Sequence, residues 1–336
     1  MPELAAHRFD PSDGLDMTEV AMLAVVNNPD LKAARDDAQV SRAQVFAAGL
    51  IPDPQLNLTQ DIPTNNMAGL TTAFNIGLSI DTKAIITRHV RTQAAEADSQ
   101  AVDLNILWQE WQVVSQARLL FVKTVYMGKV VKVFQENKSL FTERYAKSLK
   151  AFERGDTTAD AMSANLVALQ DADRQLYDAV QQMKQSMYGL NALMGLSPDT
   201  RLDLVESASD FTPIDSEATG KALADLPRRR PDLLALAEGY QSQEQKVRQA
   251  VLEQFPAINI GVTRARDTSG INTVGFGITM SLPVFDRNRG NIAIEEATRQ
   301  KLHDQYQARL DAATGEISRL RLEQKQLREQ LDAVKG

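Results

Sequence analysis

Four short runs in this chain alternate apolar and polar residues with the period of a β-strand. Leu56 and Leu58 interleave with Gln55, Asn57 and Thr59, and Phe74, Ile76, Leu78 and Ile80 interleave with Asn75, Gly77 and Ser79. Further on, Ile258, Ile260 and Val262 interleave with Asn259, Gly261 and Thr263, and Val274, Phe276, Ile278 and Met280 interleave with Gly275, Gly277, Thr279 and Ser281. Pro54, Pro63, Pro256 and Pro283 sit at the ends of these runs, where a missing N–H does least harm to a ladder. The pattern predicts two β-hairpins.

The hairpins belong to a duplicated unit. Pro29, Asp30, Leu31 return as Pro231, Asp232, Leu233, and the same spacing of 202 residues carries Pro54 onto Pro256, Asn57 onto Asn259, Phe74 onto Phe276, Ile76 onto Ile278 and Ser79 onto Ser281. Each copy opens with a helical stretch that runs from the Pro-Asp-Leu to a proline just before the first strand. The organisation expected is an N-terminal segment over 1–17, a first repeat over 18–196, an irregular acidic segment over 197–221 and a second repeat over 222–336.

Long helical tracts follow the hairpins. From about Thr82 to Arg154 there is no proline, and Leu104, Leu107, Trp111, Val114, Phe121 and Val125 keep mostly three- and four-residue steps. At 1.5 Å per residue this helix would span roughly 110 Å. Gly155 suits a left-handed C-terminal cap, and Thr157, three residues before Asp160, reads as the N-cap of a returning helix from about Thr158 to Met194. That helix carries Met162, Leu166, Leu169, Leu176, Val180, Met183, Met187 and Leu190 on one side, and Gly195 and Pro198 stop it. One further helix is expected over Ala222 to Gln254 and another from Asn291 onward. The last places Leu310, Ala313, Ile317, Leu320, Gln324, Leu327, Leu331 and Val334 in a seam.

On each predicted strand one face is bulky and apolar, and the other is Gly, Ser, Thr, Asn or Gln. A greasy outside and a small polar inside suit a barrel in lipid, because lipid tolerates no unpaired strand edge. Four strands do not close a barrel. Two chains would supply eight and three would supply twelve. The alternative is a soluble coiled-coil scaffold in which the apolar faces pack on the chain's own helices.

Composition narrows these readings. The chain has 336 residues, 43% of them hydrophobic, with a formal charge of −7. That is enough apolar content for a core, and the acidic balance argues against nucleic acid as a partner. There is no cysteine, hence no disulfide, thiolate metal site or lipid-bearing thiol. No run approaches 18 consecutive apolar residues, so no spanning α-helix is expected, and Met1 to Asp16 lacks the pattern of an export signal.

The same residues resemble the outer membrane efflux protein family, the TolC-like outer membrane factors, including the metal- and drug-efflux branch served by RND-type transporters. The resemblance rests on the two Pro-Asp-Leu openings, above all Arg230, Pro231, Asp232, Leu233. It rests also on the strand entries Ile51, Pro52, Asp53, Pro54, Gln55, Leu56 and Phe255, Pro256, Ala257, Ile258, on Ser281, Leu282, Pro283, Val284, Phe285, Asp286, Arg287, and on Arg154, Gly155, Asp156, Thr157. It implies a mostly helical α+β fold, with a long α-helical hairpin barrel and two β-hairpins per chain that contribute to a trimeric twelve-stranded β-barrel. The second helical hairpin of the family has no counterpart, so the second repeat reads as truncated and no gate residues are assigned; a non-functional truncated relic is the other reading this leaves.

The resemblance further implies a passive duct for export of small molecules or metal ions, or a type I secretion channel, in the outer membrane of a Gram-negative bacterium and extending into the periplasm. Its partners would be two further copies, a periplasmic adaptor, an RND- or ABC-type inner membrane transporter reached through the adaptor, and outer membrane lipid. The adaptor would dock on Arg154, Gly155, Asp156 and Thr157. Lipid-facing positions would be Leu56, Leu58, Phe74, Ile76, Leu78, Ile258, Ile260, Phe276, Ile278 and Met280. Lumen-facing positions would be Asn57, Asn75, Gly77, Ser79, Asn259, Gly277 and Thr279.

No catalytic, metal or cofactor site is expected. His7, His89 and His303 have no histidine partner at i+3 or i+4. Met183 and Met187, one turn apart, fit a core stripe better than a soft-metal site. Gly275, Phe276, Gly277 lie within a strand run and not before a phosphate-binding helix. Trp108 and Trp111 are expected to pack within the helix seam, and Arg228, Arg229 and Arg230 to form a solvated corner.

Overall fold

The computed structural model describes residues 7–64, 68–206 and 225–335, with Gly220 and Leu223 besides. Its elements are α1 (Met17–Asn27), α2 (Pro29–Gly49), β1 (Gln55–Asp61), β2 (Ala73–Asp81), α3 (Thr82–Glu153), α4 (Ala159–Leu193), a single turn α5 (Leu226–Arg229), α6 (Pro231–Leu252), β3 (Ile258–Arg266), β4 (Asn272–Met280) and α7 (Arg289–Lys335). The chain divides into two compact units, one of 1–35 with 106–216 and the other of 36–105 with 217–336. The division cuts across the duplicated units, because α2 and α3 each contribute to both.

In the first unit, α1 starts at a capping box. The Asp16 carboxylate accepts from the N–H groups of Thr18 and Glu19 at 2.8 Å, and the Glu19 carboxylate accepts from the Asp16 N–H at 3.1 Å. Two of the four orphan donors of the helix start are thereby satisfied. Val20, Ala21 and Ala24 of α1, Leu31 of α2, Val114, Ala117 and Phe121 of α3 and Leu190 at the end of α4 form the core, joined by Met194. Asn28 locks the α1–α2 corner: its Oδ1 accepts from Leu31 N and its Nδ2 donates to Leu193 O, both at 2.9 Å. Met194 caps α4 and Gly195 takes φ +64°, closing the helix with bonds from Gly195 N to Ala192 O and from Leu196 N to Asn191 O.

The long helix is continuous over 72 residues, but its seam differs from the expectation. Val114 and Phe121 are buried, whereas Leu107 and Trp111 are exposed, Trp111 by 52%. Trp108 stacks on Trp111, with ring centroids 5.7 Å apart, so the pair covers itself more than it fills a core. The α4 stripe behaves as read: Leu190 is buried and Met162, Leu166, Leu169, Leu176, Val180, Met183 and Met187 are half-buried.

In the second unit, the helix expected over Ala222 to Gln254 breaks at Arg230, whose ψ of +116° is the extended conformation that a following proline enforces. Lys221, Ala222 and Ala224 lie outside the described residues. From Pro231 onward α6 packs along α7. Arg230 is not a solvated corner residue: its side chain is 10% exposed, and its Nε donates to Asp232 at 2.9 Å. The end of α2 is held by α3, where Arg88 and Arg91 donate to the carbonyls of Gly49 and Ala48 at 2.5 and 3.1 Å. Cations there complement the negative end of the α2 dipole.

Candidate functional site

The four strands form one antiparallel sheet in the order β1-β2-β3-β4. The two hairpins are joined by β2–β3 pairing, and β1 and β4 form open edges among the described residues. The register places like with like. Leu56, Leu78, Val262 and Phe276 form one row across all four strands; Ile80, Ile260 and Ile278 lie in the next apolar row, and Ile258 faces Met280 beyond it. Rows of the other face are Asn57, Gly77, Thr263, Gly275 and Gln55, Ser79, Gly261, Gly277, with Asp81, Asn259 and Thr279 following.

All ten apolar positions singled out in the sequence share one face, and all seven polar positions share the other. The apolar face is bare: Leu56 is 63% and Phe276 66% exposed, and Leu58, Ile76, Leu78, Ile260, Ile278 and Met280 are exposed as well. Phe74 and Ile258 are half-buried. The packing against its own helices that a soluble scaffold requires is not what the second unit shows.

The polar face is concave. It encloses a hollow of about 270 Å³ lined from all four strands by residues that include Asn57, Asn75, Ser79, Asn259, Thr263 and Thr279. Small side chains make the curvature possible. A Cβ on Gly261 would stand 2.8 Å from the Leu78 carbonyl oxygen, whereas one on Gly277 would meet nothing within 4 Å.

The apolar face extends beyond the ten positions singled out in the sequence. The same alternation carries Arg264 and Arg266 onto it beyond Val262, where Arg264 lies between Ile76 and Val274, and Arg266 between Phe74 and Asn272. Counting on by twos would have found both.

The helical tip belongs to the first unit. Gly155 takes φ +81°, its N–H donates to Phe152 O at 3.0 Å, and the Asp156 N–H donates to Ala151 O at 2.9 Å, which is a Schellman closure. The N-cap of α4 is Thr158 and not Thr157: its hydroxyl accepts from Ala161 N at 3.3 Å, and with Ala161 at the third position there is no reciprocal capping box. Arg154, Gly155 and Asp156 are exposed and Thr157 is half-buried.

One cluster left no signal in the sequence, because His7 stands nine and twelve residues from the two acids that it meets. His7 Nε2 lies 3.4 Å from Asp16 Oδ2 and 3.7 Å from Glu19 Oε1. The two acids already serve the cap of α1, and Glu19 also accepts from Asp10 N at 2.7 Å.

Elsewhere in the first unit, Glu206 accepts from Tyr126 Oη at 2.7 Å and from the Lys129 ammonium. These hydrogen bonds, that of Lys129 first, hold the Glu206 carboxyl below the usual range, and Glu206 in turn raises Lys129.

A four-stranded sheet with one bare apolar face, one polar concave face and two open edges, carried on very long helices, defines a segment of a membrane channel wall. The comparisons agree. Residues 222–336 match the family model described as "Outer membrane efflux protein". The chain is 22% identical to the cobalt-zinc-cadmium resistance protein CzcC of Cupriavidus metallidurans, over 88% of this chain and 69% of that protein. It is 23% identical to the outer membrane protein OprJ of Pseudomonas aeruginosa, over 93% of this chain and 71% of that protein. A crystal structure of CusC superposes with a TM-score of 0.76 at 18% identity, covering 98% of this chain and 81% of that one.

Over residues 222–336 the chain carries the match to the outer membrane efflux protein family, and over most of its length it is similar to CzcC, to OprJ and, in fold, to CusC. That family consists of non-enzymatic efflux channels of Gram-negative outer membranes, and it implies trimers working within tripartite pumps.

Proposed function

We propose that three copies of this chain close a twelve-stranded barrel in the outer membrane and form a passive export duct whose helices extend into the periplasm. The supporting observation is the sheet itself: its apolar face is exposed, its polar face is hollow, and both edge strands offer unpaired N–H and C=O groups. In hydrocarbon such edges are satisfied only by closure onto neighbours. Leu56, Leu58, Phe74, Ile76, Leu78, Ile258, Ile260, Phe276, Ile278 and Met280 then face lipid. Asn57, Asn75, Gly77, Ser79, Asn259, Gly277 and Thr279 face the lumen.

The exposed turn of Arg154, Gly155, Asp156 and Thr157 is the docking point for a periplasmic adaptor, through which an RND- or ABC-type inner membrane transporter supplies energy and selection. Residues 18–196 and 222–336 act as two structural repeats around the segment 197–221. Cargo is a small solute, and the similarity to a cobalt-zinc-cadmium resistance protein favours metal ions.

Reconstitution tests the duct. The full chain, extracted in detergent and placed in a planar bilayer, is expected to run as a trimer and to conduct ions. A folded monomer that stays soluble without detergent and gives no conductance would overturn the proposal. The docking point is tested by Gly155→Trp, which should abolish adaptor crosslinking and transport at normal expression; persistence of both would remove it.

A further inference from the structure

The apolar face of the sheet changes character at one end. Leu56, Leu78, Val262 and Phe276 make a wholly apolar row, the next row on that face contains Arg264, and the last contains Gln60, Arg266 and Asn272. Beyond it lies the turn 267–271. Arg264 is exposed, Arg266 is half-buried, and neither has an ion pair or hydrogen bond among the described residues. The Nε of Arg266 is buried with no hydrogen-bond partner. The adjacent acid does not neutralise it: Asp267 Oδ1 instead accepts from the N–H groups of Ser269 and Ile271, both at 2.9 Å.

Two unpaired guanidiniums on a greasy face are costly in hydrocarbon and cheap at the level of headgroups. Being two residues apart on one strand, they stand about 6.6 Å apart along it and point the same way. Planar guanidinium forks match phosphate oxygens bidentately, and with no carboxylate among the described residues paired to either, both forks are open to a ligand from outside.

We infer that Arg264 and Arg266 form a clamp for the phosphate of a lipid headgroup in the leaflet that the 267–271 turn reaches. The inference rests on the reading of the apolar face as lipid-facing. In that setting the clamp sets the height of the barrel in the bilayer and explains why the polar change comes at this row. In the outer leaflet of a Gram-negative outer membrane the matching ligand is a phosphorylated glycolipid.

The test reconstitutes the full chain into phosphatidylcholine vesicles that carry bisphosphorylated lipid A or its dephosphorylated counterpart, extracts it gently, and counts lipid A retained per chain. The intact protein should retain the phosphorylated form at least several-fold over the dephosphorylated one. The Arg264→Ala, Arg266→Ala double variant should lose that excess, and the corresponding double Lys variant should keep part of it. Equal retention of both forms, or an unchanged excess in the Ala variant, overturns the clamp. So does equally effective competition by inorganic phosphate, which would make the site one for free anion. An Ile278→Trp reporter separates the two levels: quenching by brominated lipid without phosphate preference removes the clamp alone, and absence of quenching removes the lipid-facing reading together with it.

Discussion

Arg309 Nε lies 2.5 Å from Asp232 Oδ2, tying the first turn of α6 to α7. Asp232 is 8% exposed at its side chain and is held from the other side by Arg230, while its Oδ1 also accepts from Leu233 N. The aspartate of the Arg-Pro-Asp-Leu motif is thus a buried anion between two cations. Removing one member of such a buried pair leaves an uncompensated charge. Asp232→Ala is expected to cost about 3–5 kcal/mol, read as a lowered urea midpoint of the detergent-extracted protein. Arg309→Met, at a more exposed position, should cost less.

Two glycines on the polar face of the sheet separate close approach from open space. Gly261→Ala drives a methyl against the β2 backbone and is expected to cost about 1–3 kcal/mol. Gly277→Ala, which meets nothing, should stay within about 0.5 kcal/mol. Thermal unfolding of both variants in the same detergent checks the contrast, and equal effects would mean that the β2–β3 approach is not as described.

A charge on one face and the same charge on the next residue should behave differently if the apolar face meets lipid. Ile278→Lys is expected to cost about 2–4 kcal/mol near the bilayer midplane and to lower the yield of inserted protein. Thr279→Lys should insert normally and change ion selectivity. Measuring membrane-integrated protein and reversal potential for the pair decides between them.

Acidification should loosen the segment around Glu206. Its carboxyl is depressed in the folded chain, so its contribution is fully present above the ordinary carboxylate value and is lost as pH falls through the depressed one. The partner Lys129 is raised, so its contribution is present below the ordinary lysine value and goes only when strong alkali passes the raised one. Protection of the amides at 204–206, taken relative to intrinsic exchange at each pH, should therefore fall below about pH 4.5 and stay flat across neutral pH. Glu206→Gln should exchange faster at neutral pH and lack the acid step.

The turn at the helical tip demands a left-handed residue. With φ at +81°, Gly155→Ala is expected to lower stability by about 1–2 kcal/mol while leaving the exposed surface nearly unchanged. Gly155→Asn should lose less. An adaptor affinity that follows stability across these two variants, with Gly155→Trp alone abolishing binding, would separate turn chemistry from docking.

The strands were legible because both of their faces are accessible: exposure on the apolar side and small residues on the hollow side leave an unbroken period of two. The duplicated Pro-Asp-Leu and the glycine stop at 155 were legible because each answers to local backbone chemistry. Less so was the break at Pro231, although the restriction that proline places on Arg230 was written in the residues. The seam of the long helix misled at Leu107 and Trp111, since apolar periodicity marks a stripe without saying what covers it. Arg230 misled in the opposite direction, because its burial depends on Asp232 and on α7. His7, brought to the cap of α1 from outside any helical spacing, left no local signal.

The two open rims of the sheet bear on how the protein is made. If the sheet closes with neighbouring copies as proposed, a single copy entering hydrocarbon would carry unsatisfied amides along each of β1 and β4, and insertion and assembly would be one event and not two. The yield of channels should then rise steeply with the local concentration of newly exported copies, and a chaperone that shields these rims during transit would have as much influence on the number of pores as the gene's own expression.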